Sequence, residues 1–173
     1  MRLFIAINFD KKTRDNISSI QSNLKNYSKG SYTHPANIHL TLVFLGEISP
    51  EKIENVKQAM SQISLSQINI IFNHVGFFKR NDGDIWWIGL EKNEKLFILQ
   101  KNLVSALIEY GFNVDRHTFC PHITLGRGIR LSKEVDRSIF MNTPFDTKIN
   151  SISLMRSERI NGRLTYTELC KQP

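Results

Sequence analysis

Two short stretches of this sequence decide its fold: His39-Leu40-Thr41-Leu42 and His122-Ile123-Thr124-Leu125. Each places a histidine and a threonine two positions apart within an apolar run. Because side chains alternate between the two faces of a strand, the histidine and the threonine share one face and the apolar residues share the other. Each stretch therefore predicts a strand with one polar, reactive face and one face buried in the core.

The order of elements around the first motif strand recurs around the second. Hydrophobic spacing predicts a strand, a helix, the motif strand, a helix and a further strand in the first half, at residues 3–8, 11–27, 38–44, 50–63 and 68–75. The second half is predicted as a strand, a helix, the motif strand, a short helix and two closing strands, at residues 85–90, 96–110, 122–125, 132–140, 148–155 and 163–169. Residues 28–35 and 79–84 are predicted as polar loops, the second as a hairpin tip, and Asn161-Gly162 as the closing turn.

A nearly constant offset relates the two halves. His39 and His122 are 83 positions apart, Gly30 and Gly111 are 81 apart, and the first strands are 82 apart. This pattern predicts an α+β fold of two similar lobes related by an approximate two-fold axis, each an antiparallel sheet with helices outside. We expect one bilobal domain over residues 1–173, duplicated at about 1–83 and 84–173, with the motif strands facing each other across a central cleft.

Composition narrows the class of protein and its partners. No apolar run approaches the roughly 18–20 residues of a membrane span, and the N-terminus lacks the pattern of a signal peptide. We therefore expect a cytoplasmic protein with no membrane contact and with Cys120 and Cys170 as free thiols. The net charge of +7 favours an anionic partner, with nucleic acid ahead of a membrane surface.

Paired histidines suit acid–base chemistry at a phosphate. An unperturbed imidazole has a pKa near 6.5, so one can act as a base while the other acts as an acid near neutral pH. The hydroxyls of Thr41 and Thr124 lie on the same faces and can donate to non-bridging phosphate oxygens. Because the two motifs are nearly identical, the residues alone leave open which histidine gives the proton.

A metal site is the competing use of two histidines. His39 and His122 would need a third ligand, and no HExxH pattern or cluster of carboxylates lies near either motif, so no metal is expected. The remaining histidines, His34, His74 and His117, are predicted as ordinary loop or strand-end residues, with His117 close to the rim of the cleft.

At these motifs the chain resembles the 2H phosphoesterase superfamily, and more closely the bacterial and archaeal RNA 2′,3′-cyclic phosphodiesterases, historically called 2′-5′ RNA ligases. The resemblance covers nearly the whole chain and rests on residues 2–7, 39–46 and 121–127, with residues 154–157, Gly162 and Tyr166 at the closing hairpin.

The resemblance implies an enzyme without metal or cofactor that opens a 2′,3′-cyclic phosphate at an RNA end to a 2′-phosphate. It implies His39 as the proton donor and His122 as the proton acceptor. It also places Arg127 at the phosphate or the terminal nucleotide, and Phe44 against a base. We expect the enzyme to act as a monomer.

Two alternatives stay open at this point. One is a protein that binds or joins RNA ends with little hydrolysis, which the net charge of +7 also suits. The other is a phosphodiesterase for a different cyclic or 2′,5′-linked nucleotide.

Overall fold

The computed structural model describes residues 1–114 and 118–173, and the interpretation of His117 lies outside them. The α-helices of this part of the chain are α1 (Lys11–Lys25), α2 (Ile53–Ser61) and α3 (Glu94–Glu109). Its strands are β1 (Arg2–Asn8), β2 (Ser28–Tyr32), β3 (His39–Glu47), β4 (Ile68–Phe78), β5 (Asp84–Leu90), β6 (His122–Leu131), β7 (Phe145–Ile149), β8 (Ile152–Ile160) and β9 (Arg163–Gln172). Short 3-10 helices lie at Pro35–Asn37, Pro50–Lys52 and Arg137–Phe140.

Two antiparallel sheets form the body of the molecule. One has the strand order β3-β1-β8-β9, and the other has the order β2-β6-β5-β4-β7. The two motif strands, β3 and β6, fall in different sheets and contact each other at the junction between them. The predicted α+β fold with a two-lobed antiparallel architecture is confirmed.

Each sheet takes strands from both halves of the sequence. β1 of the first half pairs with β8 of the second, and β5 of the second half pairs with β4 of the first. The last strand of the first half, β4, therefore lies in the same sheet as β5, the first strand of the second half. The last strands of the second half, β8 and β9, lie in the same sheet as β1. The lobes in space and the halves of the sequence do not coincide.

The helices cover the apolar faces of the sheets. α1 begins after Asp10, whose side chain accepts a hydrogen bond from the Thr13 amide, and it buries Ile17 and Leu24. α3 begins after Asn93 in the same way and buries a stripe of leucines: Leu96, Leu99, Leu103 and Leu107. The core beneath them is continuous across both sheets.

The opposite face of the four-stranded sheet is also lined with apolar residues. Phe4, Ala6 and Met155 form a separate small cluster there, with Tyr166 packed against it. This face belongs to the groove between the sheets, because its aromatic rings contact His39 of β3.

Three predicted elements are wrong. Residues 28–32 form strand β2 on the edge of the five-stranded sheet, and their polar sequence gave no hydrophobic signal because most of the strand is exposed. The single strand predicted at residues 148–155 is interrupted at Asn150 and Ser151, so it divides between β7 and β8. The helix predicted at residues 132–140 is only the 3-10 turn Arg137–Phe140.

The predicted turns are confirmed. Residues 79–83 connect β4 to β5 as a hairpin tip. Asn161 and Gly162 adopt φ angles of 50° and 78°, the left-handed conformation that a two-residue hairpin turn between β8 and β9 requires.

Candidate active site

A β-bulge interrupts both motif strands at the same position. In β3, Val43 pairs with Ile5 and Thr41 with Ala6, so Leu42 has no partner on β1. In β6, the neighbours of Leu125 pair with successive residues of β5, so Leu125 is the extra residue. Leu42 and Leu125 are 83 positions apart, the same offset that relates the two histidines.

The bulges decide where Phe44 and Arg127 point. Strict alternation from His39 and His122 would place both residues on the core face, but an extra residue reverses the phase of the strand. Phe44 is 64% exposed and lies opposite Phe4 on the groove face. Arg127 is exposed, and its charge reaches both histidines. Both side chains thus return to the histidine face.

Both histidines are oriented by the same backbone contact. His39 Nδ1 lies 2.6 Å from the carbonyl oxygen of Asn37, and His122 Nδ1 lies 2.8 Å from that of Cys120. Since a carbonyl oxygen only accepts, each Nδ1 carries the hydrogen and each Nε2 is the nitrogen left for chemistry. The carbonyl lies two residues before the histidine in both cases.

The two motifs differ at the threonine. His39 Nε2 is hydrogen-bonded to Thr41 Oγ1 at 2.9 Å. The equivalent bond between His122 and Thr124 does not form between these two described residues, although both are half-buried. The nearly symmetric sequence motifs therefore give two unequal imidazoles.

Burial lowers the pKa of both histidines. For His39 the carbonyl of Asn37 opposes this shift, while the charges of His122 and Arg127 lower the pKa further. For His122 the carbonyl of Cys120 opposes the shift and Arg127 again lowers the pKa. Burial penalises the charged imidazolium, and a nearby cation adds to that penalty. The groove is therefore poised to receive an anion.

Each histidine lies against two aromatic rings. The ring of His39 is 5.0 Å from Phe4 and 5.1 Å from Tyr166, measured between centroids. The ring of His122 is 5.4 Å from Phe78 and 6.2 Å from Trp87. These rings restrict the orientation of the imidazoles and exclude water from one side of each.

Asn37 connects His39 to strand β9. Its Nδ2 donates to the carbonyl oxygen of Leu164 at 2.8 Å, and its Oδ1 accepts from the Tyr166 amide at 3.3 Å. Its own carbonyl oxygen is the one that accepts from His39 Nδ1. Asn37 thus connects the two, with its side chain bonded to β9 and its backbone carbonyl bonded to His39.

The structure places the six residues predicted for the site on the two motif strands: His39, Thr41 and Phe44 on β3, and His122, Thr124 and Arg127 on β6. Of these, His39 contacts Thr41, and the charges of His122 and Arg127 reach His39. Sequence reasoning missed Asn37, which lies two residues before His39, and the rings of Phe4, Phe78 and Trp87, which contact the histidines from neighbouring strands. Only the resemblance to the closing hairpin pointed to Tyr166.

Among residues 1–114 and 118–173, no three His, Cys, Asp or Glu side chains are grouped so as to hold a metal ion. Cys120 and Cys170 are free thiols. None of the helices in these ranges has the length and apolarity needed to span a membrane.

Two sheets of similar design, each contributing a His-x-Thr strand to a shared groove, define the class of two-lobed phosphoesterases. The chain belongs to the LigT-like phosphoesterase family, whose model matches it twice, at residues 7–87 and 88–166. It is an enzyme of that class.

Relatives and solved structures agree with this assignment. An RNA 2′,3′-cyclic phosphodiesterase of Archaeoglobus fulgidus is 34% identical over 137 residues, covering 78% of this chain and 77% of the relative. Its counterpart in Methanothermobacter thermautotrophicus is 27% identical over 98% of this chain and 96% of its own length. The crystal structure of Escherichia coli LigT complexed with 3′-AMP is 25% identical, with a TM-score of 0.79 over 99% of this chain and 95% of that one.

Proposed function

We propose that this protein is a metal-independent RNA 2′,3′-cyclic phosphodiesterase that hydrolyses a terminal 2′,3′-cyclic phosphate to a 2′-phosphomonoester. One observation carries the proposal. Two imidazoles from opposite sheets share a groove, and a backbone carbonyl fixes each Nδ1 so that Nε2 is the nitrogen that can exchange a proton, with Thr41 Oγ1 hydrogen-bonded to that of His39. The named activity of the relatives supports the choice of substrate.

In the proposed reaction His122 is the general base and His39 the general acid. His122 Nε2 takes a proton from water, and the water oxygen attacks phosphorus. The bond between phosphorus and the 3′-oxygen breaks, and that oxygen takes the proton from His39 Nε2. The product is a 2′-phosphate, and exchange of protons with solvent restores both histidines. The order of the two roles follows the family resemblance.

The remaining residues are proposed to bind the phosphate and the base. The hydroxyl of Thr124 donates to a non-bridging oxygen, where charge develops in the transition state. The Thr41 hydroxyl donates to His39 Nε2 while that imidazole is neutral, and it turns to the other non-bridging oxygen when His39 is protonated. The Arg127 guanidinium offsets the charge of the phosphate, and the exposed ring of Phe44 stacks on the terminal base.

The pKa directions suit these roles. A lowered pKa keeps His122 neutral, as a base must be, at neutral pH. His39 must be protonated to act as an acid, and a bound phosphate anion raises the pKa of a neighbouring imidazole. Substrate binding therefore favours the protonated form of His39, which burial disfavours.

The test is product analysis on an RNA with a 2′,3′-cyclic end, in EDTA, across pH 5 to 8. We expect ring opening to a 2′-phosphate by the wild-type chain and none by the variant H39A/H122A. Absence of ring opening across that range contradicts the proposal. Equal RNA binding by both proteins, with no turnover by either, would favour the alternative of an RNA-end-binding or joining protein.

A substrate panel separates the remaining alternative. Faster opening or cleavage of a 2′,5′-linked oligonucleotide or of another cyclic nucleotide than of cyclic-ended RNA would move the assignment to that substrate. The monomeric state and the cytoplasmic location stay predictions.

A further inference from the structure

A third histidine lies in the same row of the five-stranded sheet as His122. On one face of this sheet, His122 of β6 pairs with Gly89 of β5, and Gly89 pairs with His74 of β4. Residues that pair directly on neighbouring strands share a face, so both histidines face the groove. Two strand spacings separate their backbones, about 10 Å.

Gly89 leaves room for the ring of His74. A Cβ atom at Gly89 would clash with Cε1 and Nε2 of His74. The imidazole therefore lies across β5, towards the strand that carries His122, instead of extending away from it. Any side chain at position 89 would displace it.

Two contacts fix the orientation of this ring. His74 Nδ1 lies 2.6 Å from Asn73 Oδ1, and the ring meets Trp87 edge-on at 5.5 Å. Trp87 in turn packs in the space left by Gly76 and lies beside His122. Because Asn73 Oδ1 accepts from Nδ1–H, Nε2 of His74 is the nitrogen that lies over Gly89. No group in the described part of the chain hydrogen-bonds to it.

The sequence predicts His74 as an ordinary loop or strand-end residue, with a strand that ends at Val75. β4 instead runs three residues beyond the predicted boundary, to Phe78, so His74 lies within the strand and on the wall of the groove. This exposed and oriented imidazole, two strands from His122 on the same face, is placed to bind a group of the substrate.

We propose that His74 binds the phosphodiester group that links the cyclic-ended nucleotide to the rest of the RNA. This inference rests on the proposed function. With the cyclic phosphate at His39 and His122, the RNA continues along the wall of the groove, and its next anionic group is that phosphodiester. A protonated imidazole donates from Nε2 to such an oxygen in a charge-assisted hydrogen bond. His74 thereby selects RNA ends over free cyclic mononucleotides.

The test compares two dinucleotides that both end in a 2′,3′-cyclic phosphate. One has a normal internal phosphodiester and the other an uncharged methylphosphonate. We expect wild-type kcat/KM to favour the charged linkage by about tenfold, and H74A to lose that preference. K101A is the control and keeps the wild-type ratio, because Lys101 is exposed on α3, outside both motif strands.

Binding of the corresponding 2′-phosphorylated dinucleotides, measured by calorimetry, separates this inference from the proposed function. If no cyclic end is opened, yet the wild type binds the charged linkage more tightly through His74, the function fails and the subsite stands. A charged-linkage preference that H74A keeps in both measurements overturns the subsite. So does equal weakening by H74A for both linkages with rescue by H74F, because that pattern means stacking on a base.

Discussion

At the scale of single residues, the site depends on how two similar imidazoles become unequal. Both receive the same orienting contact from a carbonyl two residues earlier, but only His39 is hydrogen-bonded to its threonine. The charge of His122 lowers the pKa of His39, and Arg127 lowers the pKa of both. A bound anion would raise the pKa of His39 again, so substrate binding favours the protonated form that an acid requires.

These shifts predict the pH dependence of the reaction. Loss of the base occurs as pH falls below the pKa of His122, and loss of the acid as pH rises above the pKa of His39. Burial lowers both values below the ordinary 6.5 in the free protein, so we expect a bell-shaped kcat/KM with its maximum below about pH 6.5. The kcat maximum lies at higher pH, because bound phosphate raises the pKa of His39.

Initial rates with cyclic-ended RNA at constant ionic strength give both profiles. H39Q should lower kcat/KM by about 10²-fold or more and remove the alkaline limb, whereas H122Q should remove the acidic limb. A kcat/KM maximum at pH 8, or both limbs intact in H39Q, would contradict these roles.

The residues of the motifs could be predicted from the sequence because a period of two is a local property of a strand. Asn37, Trp87 and His74 could not, since their importance depends on which strands are neighbours. Asn37 matters because β9 lies beside it, more than 120 positions later in the chain. That pairing has no local signal.

At the scale of elements, the β-bulges at Leu42 and Leu125 are the feature that strict alternation of side chains does not predict. They carry Phe44 and Arg127 from the core face to the groove. Leu42 has no glycine or proline beside it, and although Gly126 follows Leu125, a single glycine does not show which residue of a strand is the extra one. Helices α1 and α3, by contrast, could be predicted because the helical spacing of their apolar residues is a local property of the sequence. The edge strand β2 was not, because it is polar and nearly all exposed.

The contact between Asn37 and β9 predicts that N37A changes both stability and catalysis. The substitution leaves the Leu164 carbonyl and the Tyr166 amide without their side-chain partner, which costs about 1–3 kcal/mol of unfolding free energy. It also releases the segment whose carbonyl orients His39, so we expect kcat to fall about tenfold and the alkaline limb of the pH profile to move.

Chemical denaturation and the kcat profile measure the two effects. N23A is the control, because Asn23 also donates to a backbone carbonyl, that of Ile139, but links α1 to a 3-10 helix instead. It should lower stability and keep the wild-type pH profile. An unchanged profile in N37A would reduce Asn37 to a purely structural role.

At the scale of the whole molecule, the net charge of +7 predicts how the protein meets RNA. Each phosphate contact on a single strand adds about 0.7 to the slope of log affinity against log salt. R127Q removes one proposed contact, so the slope should become shallower by about 0.7. Titration of a cyclic-ended oligonucleotide at four salt concentrations measures it. K101Q should keep the wild-type slope, because Lys101 is exposed on α3. A wild-type slope in R127Q would mean that Arg127 does not contact the RNA.

The crossing of strands between the two sheets makes the duplicated halves dependent on each other. A fragment of residues 1–83 keeps the β1–β3 pair but loses β8 and β9 from that sheet, and its β4 loses both of its neighbours, β5 and β7. A fragment of residues 84–173 keeps β5 and β6 but lacks β1 and β4. Each exposes apolar strand faces that the intact chain buries in a continuous core.

We therefore expect neither fragment to fold alone and a mixture of the two to recover native structure. Far-UV circular dichroism and thermal melts of each fragment, of the mixture and of the intact chain measure this. The intact chain should unfold cooperatively, each fragment should show no transition, and the mixture should regain one together with ring-opening activity. A cooperative melt for either fragment alone would mean that a half is an independent lobe, because only a closed core gives such a transition.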